Sequence, residues 1–348
     1  MKTNPHVFMN PSSIHLAIVG ATGAVGKELI SVLEKRKFPI GRLRCFASPS
    51  SLGKEVLFQG KPIAIEALTD DAFEGIDIAI FSAGGKISKE WVPKAIKSGT
   101  FVVDNSSAFR MGPDVPLIIP EINPHALQSH HRMASCPNCS TAIMLMAAAP
   151  LHRHFQIKRI VAATYQAASG AGFQAMKELK EETLAHLEGR PYTRTVIPHP
   201  YAFNLFPHNS ALNAEGYADE EVKMLEESRK ILEDDTIWVN ATCVRVPVLR
   251  AHSEALNISF HQPVSVDQAY EVLRSALGLS ILEDRALNRF PMPCDATGQD
   301  LVFCGRLRKD PSFPNTLDLW VVGDQLLKGA ALNAVQIAEL FVRQRTCV

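Results

Sequence analysis

Ile14-His15-Leu16-Ala17-Ile18-Val19-Gly20-Ala21-Thr22-Gly23-Ala24-Val25-Gly26-Lys27-Glu28-Leu29-Ile30-Ser31-Val32-Leu33 is the stretch that decides the fold. Its first six residues are an apolar run, glycines interrupt it, and Leu29, Ile30 and Leu33 then fall on one face of a helix. A strand, a glycine turn and a helix in that order leave bare backbone amides at the positive end of a helix dipole, where a phosphate is received. The stretch therefore predicts a pyrophosphate site on Gly20, Thr22, Gly23, Ala24, Val25 and Gly26. Its spacing, G-x-x-G-x-x-G, departs from the plain dinucleotide fingerprint, so a tight packing turn is the bland alternative.

Outward from this unit, Leu43–Ala47, Ile76–Phe81 and Thr100–Asp104 read as strands and Trp91–Lys97 as a helix. Strands alternating with helices over the first 135 residues predict a Rossmann-type, doubly wound parallel sheet. The pattern then changes. Thr141–Ala149 reads as an apolar helix, Lys158–Gln166 as a strand, and Phe173–Glu188 and Asp219–Glu233 as helices. Ile237–Phe260 is rich in β-branched residues, and Leu317–Val322 precedes a last helix over Leu327–Arg343. Residues 190–215, with four prolines and no period, read as a long loop, uncommon unless functional or at an interface. The expected organisation is a loose leader (1–13), a dinucleotide-binding domain (14–139), a second, α+β domain (140–322) and a C-terminal helix (323–348) returning to the first domain.

Composition narrows the function. The 348 residues are enough for about two domains of roughly 150 residues. Lys plus Arg and Asp plus Glu are both 36, so no global field draws the chain onto nucleic acid or an anionic membrane. Seven cysteines are too sparse for a disulfide scaffold, and no apolar run reaches the roughly 18 residues of a membrane span. A soluble cytoplasmic protein with reduced thiols is expected.

At the second-strand end, where an NAD site places an acid, the chain reads Ala47-Ser48-Pro49-Ser50-Ser51, with Lys54 soon after. Hydroxyls on Ser48, Ser50 and Ser51 and a lysine suit a 2′-phosphate, which favours NADP. Cys136-Pro137-Asn138-Cys139-Ser140-Thr141 leads directly into the apolar helix. A cysteine at a helix N-terminus has its thiolate stabilised by the dipole, so Cys139 is the candidate nucleophile. A redox pair or half a zinc site are the alternatives, but no second C-x-x-C completes four ligands. His252 follows the strand that breaks at Pro247 and is the candidate proton carrier. Arg245, a cation in an apolar strand, calls for an anion partner, whether in a structural ion pair or in a functional one.

Taken together these motifs resemble the aspartate-semialdehyde dehydrogenase family. The resemblance is carried by residues 20–26, Asp104-Asn105-Ser106-Ser107-Ala108-Phe109-Arg110-Met111, Pro137-Asn138-Cys139-Ser140-Thr141 and Tyr165-Gln166-Ala167-Ala168-Ser169-Gly170-Ala171-Gly172. It continues through Arg245-Val246-Pro247-Val248, His252-Ser253-Glu254 and Lys328-Gly329-Ala330-Ala331-Leu332-Asn333-Ala334, so it covers nearly everything after the leader. It implies a glyceraldehyde-3-phosphate dehydrogenase-like fold, a homodimer, and NADPH-dependent reductive dephosphorylation of L-4-aspartyl phosphate, a step toward lysine, threonine and methionine. Cys139 would form an acyl-thioester, His252 would move the proton, and Gln166 would position the substrate. Arg245 and Glu220 would hold the substrate's charged groups; Arg110, Asn138 and Lys223 would surround phosphate; Ser169, Gly170 and Gln325 would contact the nicotinamide. By spacing alone Lys223 reads as part of a solvated helix face. Ser50 stands where many bacterial members carry arginine, which weakens the inference to NADP, and Gln325 stands where asparagine is common. Two rivals are an N-acetyl-γ-glutamyl-phosphate reductase-like enzyme and a non-catalytic redox sensor using Cys136 and Cys139.

Overall fold

A computed structural model describes residues 14–346; the leader, residues 1–13, lies outside the described residues. The chain opens with β1 (Ile14–Val19), α1 (Ala24–Lys35) and β2 (Ile40–Phe46). Then come β3 (Glu55–Phe58), β4 (Lys61–Glu66), β5 (Ile78–Phe81), α2 (Gly85–Lys97), β6 (Phe101–Asp104) and β7 (Met133–Ser135). These strands form one sheet in the order β3-β4-β2-β1-β5-β6-β7, parallel except where β3 and β4 make a hairpin. The expected doubly wound sheet is present, and the hairpin is an addition to it. Its turn residues Gln59 (φ 51) and Gly60 (φ 73) both adopt the left-handed conformation that a two-residue type I′ turn requires. The strand order reverses at β1, which lies between β2 and β5, so the crevice beyond the carboxyl ends of β1 and β5 is the place where such sheets take a ligand.

The second half contains α3 (Cys139–Phe155), β8 (Ile157–Gln166), α4 (Phe173–Leu187), β9 (Phe206–Pro207), α5 (Asp219–Leu232), β10 (Trp238–Arg245) and β11 (His252–Phe260). It continues with α6 (Val266–Ser275), β12 (Leu279–Ile281), the single turn α7 (Pro293–Ala296), β13 (Val302–Lys309) and β14 (Thr316–Gly323). The mixed sheet runs β12-β13-β14-β11-β8-β10-β9. Helix α3 is buried from Ser140 to Ala149, as an all-round apolar helix must be, and with α5 and α6 it covers one face of the sheet. The opposite face carries Val161, Ala163, Tyr165, Ala255, Asn257 and Trp320 along a shallow groove.

The proline-rich segment takes its shape from α4. Glu178 accepts hydrogen bonds from the backbone N–H groups of Thr195, Val196 and Ile197, and Glu182 pairs with Arg194 and accepts from Tyr201 N. The expected continuous helix at 327–343 is instead a π-helical turn over Leu327–Ala331 followed by α8 (Leu332–Thr346). Its wider turn sets Gly329 against Cys139, where an added Cβ would lie 2.8 Å from the cysteine Cβ. Beyond it, Leu332, Val335, Ile337 and Phe341 pack into the core of the first sheet, with Phe341 stacked on Phe101 at 3.8 Å. Among the described residues no helix is long and apolar enough to cross a membrane.

Candidate active site

The glycine turn is built for close approach. Gly20 has φ +97 and its Cβ would meet Ser82 O at 2.4 Å, while a Cβ on Gly26 would meet Gly20 O at 2.2 Å. Gly23 is the N-cap of α1 and offers no side chain, so Ala24, Val25 and Gly26 begin the helix with its N-terminal amides uncapped by any side chain. Thr22 Oγ1 lies 3.2 Å from Ser51 Oγ, and Ser48 Oγ lies 2.9 Å from Ser50 Oγ, so the hydroxyls at the end of β2 stand beside the turn.

The register of the second sheet sorts its covered face into rows. Arg245 pairs with Gln166 across β10 and β8, and His252 pairs with Gly323 across β11 and β14, so these four share the row at the end of the sheet. One row inward lie Cys243, Thr164, Glu254 and Val321; the next, Ala241, Ala162, Leu256 and Leu319, is wholly apolar. Polarity thus rises stepwise toward the site, and the N-terminus of α3, carrying Cys139, lies at the polar end: Ser140 Oγ accepts from Gln166 Nε2 at 2.7 Å.

Arg245 is buried, with Nη1 on Ala167 O at 3.2 Å and Nη2 against His208 Nε2 at 2.9 Å. Its Nε is buried without a partner. Among the described residues no carboxylate lies within ion-pair distance of it, so the structural ion pair that the sequence left open is absent. His252 Nδ1 accepts from Ala167 N at 3.0 Å, which places the ring proton of the neutral form on Nε2, itself buried and unpartnered. Burial, reinforced by Arg245, pushes this imidazole down to about 3. Gly170 lies close under the pair: a Cβ there would meet Arg245 Nη1 at 2.8 Å and His252 Nε2 at 3.0 Å.

Two influences oppose the helix end at Cys139. Burial and then the Glu220 carboxylate push the thiol up to about 12, against the pull of Arg245 and Arg110. Burial thus favours the uncharged thiol, and a proton acceptor or a ligand's positive charge would favour the thiolate. Asn138 caps α3: Oδ1 accepts from Ser140 N and Thr141 N, and Nδ2 donates to Glu220 Oε1 at 2.7 Å. Glu220 opposes its own burial with His208, Lys223 and Asn138 around it, which hold it down at about 2. Lys223 is half-buried with Nζ 3.4 Å from Glu220 Oε2, so it faces the site and is no part of a solvated face. Arg110 donates from Nη1 to Glu227 at 2.9 Å and from Nη2 to Asn105 O at 3.0 Å.

Gln325 donates to Ser169 Oγ and accepts from Ala251 N at 3.0 Å, tying the 168–171 turn to the residue before His252. Cys136 is fully buried in the core of the first sheet, and burial pushes its thiol up to about 12; it forms no disulfide with Cys139.

Comparison with known proteins agrees with this geometry. A family model described as the semialdehyde dehydrogenase NAD-binding domain matches residues 15–130, and one for the semialdehyde dehydrogenase dimerisation domain matches residues 148–328. An aspartate-semialdehyde dehydrogenase from Synechocystis sp. is 54% identical over 334 residues, 96% of this chain and 99% of that protein. The chain belongs to the aspartate-semialdehyde dehydrogenase family. A crystal structure of aspartate semialdehyde dehydrogenase II from Vibrio cholerae complexed with ASA superposes with a TM-score of 0.93 at 40% identity, covering 96% of this chain and 99% of that one. A probable member from Pseudomonas aeruginosa superposes with a TM-score of 0.88 at 28% identity, over 95% and 99% of the two chains. Within this family fold, sequence reasoning missed Glu227, Glu254 and His208. Glu220, Met224, Glu227 and Ile231 are the buried stripe of α5, so a glutamate spaced with Met224 and Ile231 was the available signal for Glu227.

Proposed function

We propose that the chain catalyses phosphate-dependent interconversion of L-aspartate 4-semialdehyde and L-4-aspartyl phosphate, reducing the acyl phosphate with NADPH in the biosynthetic direction. The observation that carries this reading is Arg245, a buried guanidinium that forms no ion pair with a carboxylate among the described residues, beside a histidine and facing a helix that begins with cysteine. A desolvated cation of that kind is costly unless a ligand anion completes it, and its planar fork suits the substrate α-carboxylate. Glu220, held ionised, complements the α-ammonium. An N-acetylated substrate brings no cation to that carboxylate, which argues against the N-acetyl-γ-glutamyl-phosphate alternative. The burial of Cys136 away from Cys139 argues against a two-cysteine sensor.

In the biosynthetic direction the sulfur of Cys139 attacks the substrate carbonyl carbon and its proton passes to the departing phosphate oxygen; the carbon–oxygen bond to phosphate breaks and an acyl-thioester remains. Arg110, Lys223 and one free Nδ2 hydrogen of Asn138 receive the departing phosphate. The reduced nicotinamide, when bound, supplies the hydride. His252, a donor at Nε2 in the resting site, hydrogen-bonds the oxyanion that hydride addition leaves on the thiohemiacetal; as that species collapses to aldehyde the carbon–sulfur bond breaks and the sulfur takes up one proton from solvent, which restores the cysteine. Gln166, whose Oε1 is buried and unpartnered, holds the substrate over the sulfur.

Gly20 and Gly26, where a side chain would strike the backbone of Ser82 and of Gly20, draw the turn tight under the uncapped N-terminus of α1, which suits a pyrophosphate; Gln325, bonded to Ser169 and to the residue before His252, and Gly170, close to His252, support a nicotinamide beside that histidine. Exposed Ser48 and Ser50, with Ser51 behind them and no acid at the end of β2, support NADP over NAD. The uncovered sheet face around Tyr165 and Trp320 supports a homodimer formed through it. The test is reduction of NADP and, separately, NAD with aspartate semialdehyde, with and without phosphate. NADP reduction that requires phosphate is expected; phosphate-independent turnover would overturn the reading.

A further inference from the structure

Arg110, on the segment after β6, and Asn138, between β7 and α3, reach the site from different parts of the chain, and one side chain joins them. Glu227 on α5 is buried; its Oε1 accepts from Arg110 Nη1 at 2.9 Å and its Oε2 accepts from Asn138 N at 2.6 Å. Burial raises its pKa, opposed by Arg110 and by the Asn138 amide. One turn on, Lys230 Nζ donates to the backbone carbonyls of Arg110 and Gly112, each at 2.7 Å, so the same helix holds the arginine's backbone as well as its head. With Nη2 on Asn105 O, the fork is fixed at two corners, and its Nε is buried without a partner.

We propose that Glu227 is a positioning residue for the phosphate subsite: by gripping Arg110 with one oxygen and the Asn138 backbone with the other, it fixes the guanidinium relative to the N-terminus of the helix that carries the nucleophile. The proposal rests on the assignment of Arg110 and Asn138 to phosphate made above. A carboxylate satisfies two donors at once. A glutamine of the same size has one accepting atom, so its amide nitrogen would face whichever donor that oxygen does not serve.

Glu227→Gln is therefore expected to raise the KM for inorganic phosphate roughly tenfold, the effect of losing one charge-assisted hydrogen bond. The KM for aspartate semialdehyde, held by Arg245 on β10, is expected to stay within about twofold. A purely structural role would lower Tm or kcat without this split, and an unchanged phosphate KM in a folded variant would overturn the proposal. Where Glu227→Gln does not fold, Glu227→Asp, which keeps both oxygens but spans a shorter distance, is read in the same way. Arg110→Lys is measured in parallel. If it leaves the phosphate KM unchanged, the assignment of Arg110 fails; if it raises that KM and Glu227→Gln does not, Glu227 alone is dismissed. The double variant is expected to raise the phosphate KM by less than the product of the two single effects, because Glu227 acts in part through Arg110; fully additive effects would overturn the proposal.

Discussion

Arg245 shows how far a single residue type can be pushed from sequence. A cation in an apolar strand had two explanations, and only the absence of a carboxylate within ion-pair distance separates them. Replacement by lysine removes the planar fork while keeping the charge. Arg245→Lys is expected to lower kcat/KM for aspartate semialdehyde on the order of 10²-fold with the KM for the nicotinamide cofactor unchanged, measured by steady-state kinetics. Glu254 makes a contrasting case. Both its oxygens are buried and unpartnered, and burial raises its pKa well above that of an ordinary carboxylate, which favours the protonated form. Glu254→Gln is accordingly expected to keep kcat/KM within about threefold, whereas a large loss would show that the ionised form is used. The sequence displayed Cys139, His252 and Arg245 because each broke a local pattern. Glu227 stood in plain view on the α5 stripe but looked like one more charge in a charged helix, since its partners, Arg110 and Asn138, are 117 and 89 residues away.

At the scale of elements, the strands with continuous apolar runs were legible and the pieces that depend on remote support were not. The β3–β4 hairpin turns on Gln59-Gly60, without the Asn or Asp that usually announces a type I′ turn. The 190–205 segment has no period because its backbone donors bond to glutamates on α4 and not to a neighbouring strand or helix turn. The π-helical turn at Leu327–Ala331 leaves no periodic mark in the sequence, and the contact of its Gly329 with Cys139 joins residues far apart in the chain. Gly329→Ala is expected to slow turnover and Cys139 alkylation together while the circular dichroism spectrum is preserved, since the added methyl lies 2.8 Å from the cysteine Cβ. Ala251, immediately before His252, is buried with φ +73 and anchored through its N–H to Gln325. A non-glycine residue there carries about 1–2 kcal/mol of backbone strain. Ala251→Gly is expected to raise the denaturant midpoint by an amount equivalent to about 1 kcal/mol, and a fall would mean that packing of the methyl outweighs the strain.

For the whole molecule, the buried imidazoles set a pH limit. His252 and His208 are pushed down to about 3 and about 4 from an ordinary 6.5, in both cases by burial and then by Arg245. The unfolded chain takes up protons on both as pH falls below 6.5, and the folded chain does not, so this part of the stability is present above 6.5 and is lost progressively toward pH 4. Denaturant titrations at a series of pH values are expected to show that decline, and a His208→Gln, His252→Gln double variant to show a shallower one. The union of the two sheets was foreshadowed by the change of pattern near residue 140, but their joint dependence on the end of the chain was not fully visible: α8 completes the core of the first sheet, and the turn before it touches the nucleophile. Translation reaches that helix only after both sheets have been made. The first sheet must therefore wait, with an apolar surface still uncovered, until Leu332 through Val342 have been translated, so a chain cut short before Leu327 is expected to be a client of chaperones and proteases and not a smaller working enzyme.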